Sequence, residues 1–202
     1  MHHDAAGAGS KPKNWPSDVV YLKHPVFSNS QLRDRLRPGS SACDYTGKAL
    51  HELPTVSTPL LQQKAATKIT SLANQPSHPA HPHFGLFATK DLKPGTLLLP
   101  YLGVVTLSDD ADENSDYCLK LGPNLAVDGE KKGNEGRFVN DYRGIQSKPN
   151  VEFREYIDKS TNEIRMGIWV MNTAHNKKGI KKGSELCISY GKGFWKSRSV
   201  YV

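Results

Sequence analysis

Two tyrosines in the 202-residue chain stand at the ends of a repeated pattern. Leu92-Lys93-Pro94-Gly95-Thr96 leads through an apolar stretch to Tyr101-Leu102-Gly103, and Ile180-Lys181-Lys182-Gly183-Ser184 leads through another to Tyr190-Gly191. Each unit reads as a basic turn, a short strand and a tyrosine near a glycine. A tyrosine held there offers a ring face that tolerates a cation and a hydroxyl that can orient an amine. Other chemistry-bearing residues do not assemble into motifs. Asp110, Asp112 and Asn114 alternate as in a calcium loop, but Ser115 and Leu121 occupy the positions that need Gly and Glu. His78, His81 and His83 are separated by two prolines, so SHPAHPHF reads as an extended, solvated linker and not a zinc cluster. Cys43, Cys118 and Cys187 are scattered, with no Cys-x-x-Cys pair. His-Glu-x-x-His, Gly-x-Ser-x-Gly, a phosphate-cradling Gly-x-x-x-x-Gly-Lys and Gly-x-Gly-x-x-Gly are all missing. The expected chemistry therefore uses no metal and no activated serine.

The elements that must carry these residues are short. Residues 1–14 are small, polar and Gly/Ala-rich and read as a disordered tail. Residues 15–80 form a flanking segment with a helix expected over 59–75: Thr58 suits an N-cap, Pro59 the first turn, and Leu61, Ala65, Ile69 and Leu72 recur at helical spacing. From Phe84 onward, short apolar runs alternate with Gly, Pro and Asn turns, as in a β-rich domain. Strands are expected over 85–88, 96–99, 103–107, 117–121, 151–157, 165–172 and 185–189, with a helical turn near 134–139. The domain is placed at 81–195 and a C-terminal tail at 196–202.

Composition bounds the function. Thirteen Pro and 17 Gly favour turns and short strands. No run approaches the roughly 20 apolar residues of a membrane span, and the N-terminus lacks the apolar core of a secretory signal. The scattered cysteines fit a reducing compartment, so an intracellular protein of the nucleus or cytoplasm is expected. The net charge of +7 is modest and is interrupted by the acidic run 108–116, which argues against nucleic acid as the main ligand. A monomer is expected.

Four stretches, in order, resemble the SET-domain protein lysine methyltransferases. FGLFATKDLKPGTLLLPYLGVV at 84–105 is similar to that family's opening strand, basic turn and Tyr-x-Gly. SDYCLKL at 115–121 with AVDG at 126–129 resembles the central strand and acidic turn. GNEGRFVNDYRG at 133–144, with Lys148-Pro149-Asn150, is similar to the Arg-Phe-x-Asn-His-Ser-Cys…Pro-Asn box. GIWVMNTAHNKKGIKKGSELCISYG at 167–191 resembles the final strand and Glu-Leu-x-x-x-Tyr-Gly. Two positions depart from the family: His83 replaces the first glycine of a Gly-x-Gly opening, and Asp141 replaces the histidine after Asn140.

The resemblance implies a mainly β SET-domain fold in which the final strand threads past the Asn140 segment in a knot-like crossing. It implies transfer of a methyl group from S-adenosylmethionine to a lysine of a protein, with a histone tail as candidate substrate. By the same resemblance Tyr190 is the catalytic tyrosine and Tyr101 a channel wall, with Tyr117 and Ile188 also facing the substrate channel. A tyrosine at position 188 tends to restrict such enzymes to monomethylation, and Ile188 imposes no such block. Phe84, Gly85, Arg137, Phe138, Asn140 and Asp141 would bind the cofactor, with Trp195 closing over the adenine. The acidic run 108–116 would steer a basic substrate. A catalytically inactive module of the same fold, binding a peptide or the cofactor, is the alternative.

Overall fold

The computed structural model describes residues 11–57, 66–191, 194 and 195. The flanking segment contributes β1 (Val20–Tyr21), β2 (Val26–Phe27), α1 (Leu32–Arg35), α2 (Gly47–His51), β3 (Thr55–Val56) and β4 (Thr67–Ser71). The domain proper follows with β5 (Phe84–Ala88), β6 (Leu97–Pro100), β7 (Val104–Leu107), β8 (Cys118–Leu121), β9 (Leu125–Asp128) and β10 (Lys132–Gly133). A 3₁₀ turn, Glu135–Phe138, leads into β11 (Asn140–Asp141), and β12 (Val151–Asp158), β13 (Glu163–Val170) and β14 (Cys187–Ile188) complete the order. The expected strands and the turn near 134–139 are present within one to three residues, except that the last expected strand is reduced to 187–188.

Two four-stranded sheets carry the domain, in the orders β3-β12-β13-β6 and β2-β7-β9-β8. The hairpin β12/β13 pairs over eight residues. Its turn is closed by Asp158, whose Oδ1 accepts from the Ser160 backbone and hydroxyl, and by Asn162 at φ 52°. The flanking segment is built into these sheets: β1 pairs with β10, β2 with β7 and β3 with β12, all in parallel. Leu32 and Leu36 enter the same core as Leu86, Leu125 and Ile168. An edge of each large sheet is thereby covered by sequence that precedes the domain, which removes unpaired backbone from solvent.

The expected threading follows from the hydrogen bonds around β14. On one side β11 pairs with it in parallel, Asn140 opposite Cys187 and Asp141 opposite Ile188. On its other side lies Asn150, whose backbone N–H donates to Cys187 O and whose Oδ1 accepts from Cys187 N. Residues 142–150 leave one flank of β14 and return on the other, so this loop crosses the final strand.

Two expectations on the flank are corrected. Of the helix placed at 59–75, residues 59–65 lie outside the described residues, and 67–71 is β4, paired antiparallel with β5 through five residue pairs. Thr67, Ile69 and Thr70 are β-branched and favour extended backbone, and a complete ladder outweighs the helical spacing of Ile69 and Leu72. The tail placed at 1–14 is described from residue 11, and Asn14 Nδ2 donates to Ile69 O at 3.0 Å. No helix among the described residues is long and apolar enough to cross a membrane.

Candidate active site

The segment 137–141 organises the site, because it touches both tyrosine units of the repeated pattern. Tyr101 is buried just after β6, with its backbone N–H and its hydroxyl both fixed. Its backbone N–H donates to Met166 O, its hydroxyl donates to Tyr117 O at 2.7 Å, and its ring packs edge-on against Phe153. Asn134, buried in the preceding turn, clamps the flanking backbone: its Oδ1 accepts from Leu102 N and its Nδ2 donates to Pro100 O. A Cβ on Gly129 would stand 3.0 Å from the Tyr101 hydroxyl, so glycine there lets the turn after β9 close over the phenol.

Arg137 bridges to Tyr117. Its guanidinium donates to Gly129 O and Glu130 O and lies 4.2 Å from the centre of the Tyr117 ring. Those bonds occupy much of the guanidinium and set it against the Tyr117 ring.

Tyr190 approaches from the other side. Its hydroxyl donates to Val139 O at 2.9 Å and its backbone N–H to Asp141 Oδ2 at 2.8 Å. Ile188, two residues earlier, is buried in the core with Tyr101, Phe138 and Val139. Burial pushes the Tyr190 phenol well above its ordinary range, and the neighbouring Tyr117 and Asp141 push it further. Tyr101 is raised likewise, by burial first and by Asp128 second. Both phenols therefore keep their protons near neutrality and cannot act as bases there.

Asp141 is an anchor. Its carboxylate accepts from Tyr190 N, Arg143 N, the Arg143 guanidinium and the Trp195 indole N–H. Burial alone would raise its carboxyl, but these hydrogen bonds outweigh it and hold the group below the usual carboxylate range. Trp195 is thus tethered at 3.3 Å, with Phe194 between it and Tyr190 in an edge-on aromatic row.

Asn140 faces the opposite way. Its Nδ2 donates both to Phe84 O at 3.1 Å and to Glu185 Oε1 at 2.8 Å. Phe84, Phe138 and Trp15 form a further edge-on row beside it. The reason for glycine at 85 is also local: a Cβ there would sit 2.5 Å from Glu185 Oε1.

Two participants escaped the sequence reading. Glu185 belongs to the quoted Glu-Leu pair, so its position was visible although its role was not. The extended, solvated linker expected around His78 is not what forms. Residues 72–83 fold into successive turns closed by Leu72 N–H on His83 O, and the His78 side chain, only 9% exposed, bonds Glu185 Oε2 at 2.9 Å. Nothing in the spacing of that segment signals the burial. Among the described residues, no three His, Cys, Asp or Glu side chains group so as to hold a metal ion. A cavity of about 800 Å³ opens between Leu98, Pro100, Asn134 and Trp169 and contains none of Tyr101, Tyr117, Asn140 or Tyr190. Converging side chains, and not cavity size, define the site.

The buried phenols yield a stability prediction. Tyr21, Tyr45, Tyr101, Tyr156 and Tyr190 all have folded values raised above the ordinary value near 10, with burial the largest cause in each. A raised folded value means stabilisation that is complete below pH ~10 and lost as pH rises beyond it. Thermal midpoints should therefore fall steeply above pH ~10, with tyrosinate absorbance for these groups appearing only as the protein unfolds. Ionisation of all eight tyrosines near pH 10 in the folded state would contradict the packing described.

Comparison with known proteins places this geometry. Residues 83–191 match the family model described as SET domain. The chain is 27% identical over 117 residues to the histone-lysine N-methyltransferase ASHH1 of Arabidopsis thaliana, covering 53% of this chain and 21% of that protein. It is 31% identical over 119 residues to a histone-lysine N-methyltransferase, H3 lysine-36 specific, of Gibberella zeae, covering 53% of this chain and 11% of that protein. Among solved structures it resembles KRYPTONITE, crystallised in complex with mCHH DNA, H3(1-15) peptide and SAH. That match has a TM-score of 0.46 and 18% identity, over 63% of this chain and 24% of the other. The chain thus matches about a fifth or less of the length of these curated relatives.

Proposed function

The chain belongs to the SET domain family, and from that membership we propose that it is a protein-lysine N-methyltransferase using S-adenosylmethionine. The observation that carries the proposal is the convergence on residues 139–141: Asn140 is oriented on one side while the Tyr190 hydroxyl is held by Val139 O on the other. The relatives named as histone-lysine N-methyltransferases support a histone tail as substrate and action in the nucleus.

The residues present suit the cofactor chemically. The Asn140 amide nitrogen is spent on Phe84 O and Glu185 Oε1, which leaves its side-chain oxygen to accept from a cationic amino-acid end. The aromatic rows Phe84–Phe138 and Phe194–Trp195 supply ring faces for a purine. When bound, S-adenosylmethionine would supply a sulfonium methyl group open to in-line attack by a neutral lysine amine, the N–C bond forming as the C–S bond breaks and S-adenosylhomocysteine leaves as the neutral thioether. The protein's part is to hold the amine and to strip it of water, which favours its neutral form. Tyr101, Tyr117 and Tyr190 line that channel. The Tyr190 hydroxyl proton is committed to Val139 O, so its oxygen lone pairs are presented to electropositive hydrogens on the reacting groups. Ile188 adds an apolar wall. The exposed acidic residues Asp109, Asp110, Asp112 and Glu113 favour approach of a basic peptide, an attraction that salt screens.

The departure at Asp141 does not favour the inactive alternative, because its carboxylate positions Tyr190 and Trp195. Calorimetric titration with S-adenosylhomocysteine should give saturable one-to-one binding. Asn140→Ala should weaken it about tenfold, the loss of a hydrogen bond to a charged group. Labelled methyl transfer to histone H3 then separates the enzyme from a binding module. Absence of saturable binding by the wild type would remove the cofactor reading altogether.

A further inference from the structure

We propose that His78, from the segment preceding the domain, is a positioning residue that acts through Glu185 to aim the Asn140 side-chain oxygen at the cofactor's α-ammonium group. The inference rests on the cofactor reading above and extends it to a residue outside the matched segment 83–191.

The chain of hydrogen bonds runs outward from the His78 ring. Ala80 N–H donates to His78 Nδ1 at 3.1 Å, so that nitrogen is the acceptor and the ring proton belongs to Nε2. Nε2 then donates to Glu185 Oε2 at 2.9 Å. The other carboxylate oxygen, Oε1, accepts from Asn140 Nδ2, which also donates to Phe84 O. An amide with two acceptors against its nitrogen cannot flip, because the flipped state would set its oxygen against a carboxylate and a carbonyl. The Asn140 oxygen is therefore turned away from Glu185, which leaves it as an acceptor for a cation.

Each link is shielded from water. The His78 and Glu185 side chains are 9% and 7% exposed, so a broken link is not readily replaced by solvent. Glu185 is also confined laterally, since its Oε1 fills the space that a side chain at Gly85 would need. His78 closes the remaining freedom of that carboxylate. The turns of 72–83 deliver it there, held at their base by Leu72 N–H on His83 O at 2.9 Å and by His81 Nδ1 near Leu72 O at 3.2 Å. A residue acting in this way tunes cofactor recognition without touching the reacting atoms.

The test compares two ligands that share the nucleoside but differ in the amino-acid end. S-adenosylhomocysteine carries the α-ammonium, and 5′-methylthioadenosine lacks it. In calorimetric titrations of the full chain, His78→Ala should weaken S-adenosylhomocysteine about tenfold and leave methylthioadenosine within about twofold, the effect expected of one charge-assisted hydrogen bond. KM for S-adenosylmethionine should rise by a similar factor with little change in kcat. His78→Gln, whose amide N–H can reach Glu185, should restore most of the loss. Glu185→Gln, nearly isosteric, should reproduce the selective weakening and serves should His78→Ala fail to fold. Equal weakening of both ligands, or unchanged affinity of His78→Ala, would overturn the positioning role. Failure of the wild type to bind S-adenosylhomocysteine would instead overturn the cofactor reading on which it rests.

Discussion

Tyr190→Phe is expected to slow methyl transfer about a hundredfold while S-adenosylhomocysteine affinity stays within about twofold, the scale seen when one aligned polar group is removed from a transition state. The substitution isolates the oxygen. The ring keeps its edge-on contact with Phe194 at 4.7 Å, and the backbone keeps its bond to Asp141. The lost bond, hydroxyl to Val139 O, is worth about 1 kcal/mol of stability, so the variant should fold. In the proposed role the phenol oxygen serves the transfer step and not cofactor binding, so the loss should appear in kcat. Raised well above its ordinary range by burial, this phenol stays protonated, so the wild-type rate should climb with pH as the substrate amine deprotonates. A single-turnover rate equal to that of the wild type would remove Tyr190 from the assigned role. Tyr101→Phe is a useful contrast, since its hydroxyl is spent on Tyr117 O in the wall.

Asp141→Ala is expected to cost about 3 kcal/mol and to lower transfer as well, because one carboxylate holds the end of the domain in place. Its removal leaves the Tyr190 N–H and the Trp195 indole without their acceptor and releases the Arg143 guanidinium. Tyr190 then loses the backbone bond that sets its ring against Val139, so kcat should fall together with stability. The pH dependence identifies the cause. Burial opposes ionisation of Asp141, but the hydrogen bonds from Tyr190, Arg143 and Trp195 prevail and set its folded value below the unfolded one. A depressed folded value means stabilisation that is complete above the unfolded value of about 4 and lost as pH falls through the folded value. Urea unfolding should therefore show wild type and Asp141→Asn furthest apart at pH 7 and converging towards pH 3. A gap that does not change with pH would mean that Asp141 acts through shape and not charge.

Much of this domain was legible in the residues. The apolar runs in 84–170 became strands close to where alternation and turns placed them, because each run buries its own face and its Gly, Pro or Asn neighbours end it locally. Tyr101 and Tyr190 were marked by a repeated basic turn, strand and tyrosine, and Asn140 by its neighbours Arg137 and Phe138. The flank was not legible. Its strands β1, β2 and β3 are two residues each, too short for any periodicity, and they exist only because β10, β7 and β12 offer unpaired edges. Within the helix expected over 59–75, residues 67–71 form β4 for the same reason: helical spacing is a local signal, and the ladder with β5 is a long-range one.

Residue types and their order set the chemistry available: tyrosines at strand ends, an asparagine in a recognisable box, and no cysteine or histidine pattern for a metal. Tertiary structure decided what each of those residues does. The parallel pairing of β11 with β14 brings Asp141 to Tyr190 and Asn140 to Glu185, 49 and 45 positions apart. It also decided that Arg137 braces Tyr117, that Gly85 makes room for a carboxylate, and that His78 is buried against Glu185. The physical reason is common to all of these. A side chain's type sets what it can donate or accept, whereas its partner is chosen by which buried polar group would otherwise stay unpaired, and that is settled only when distant segments pack.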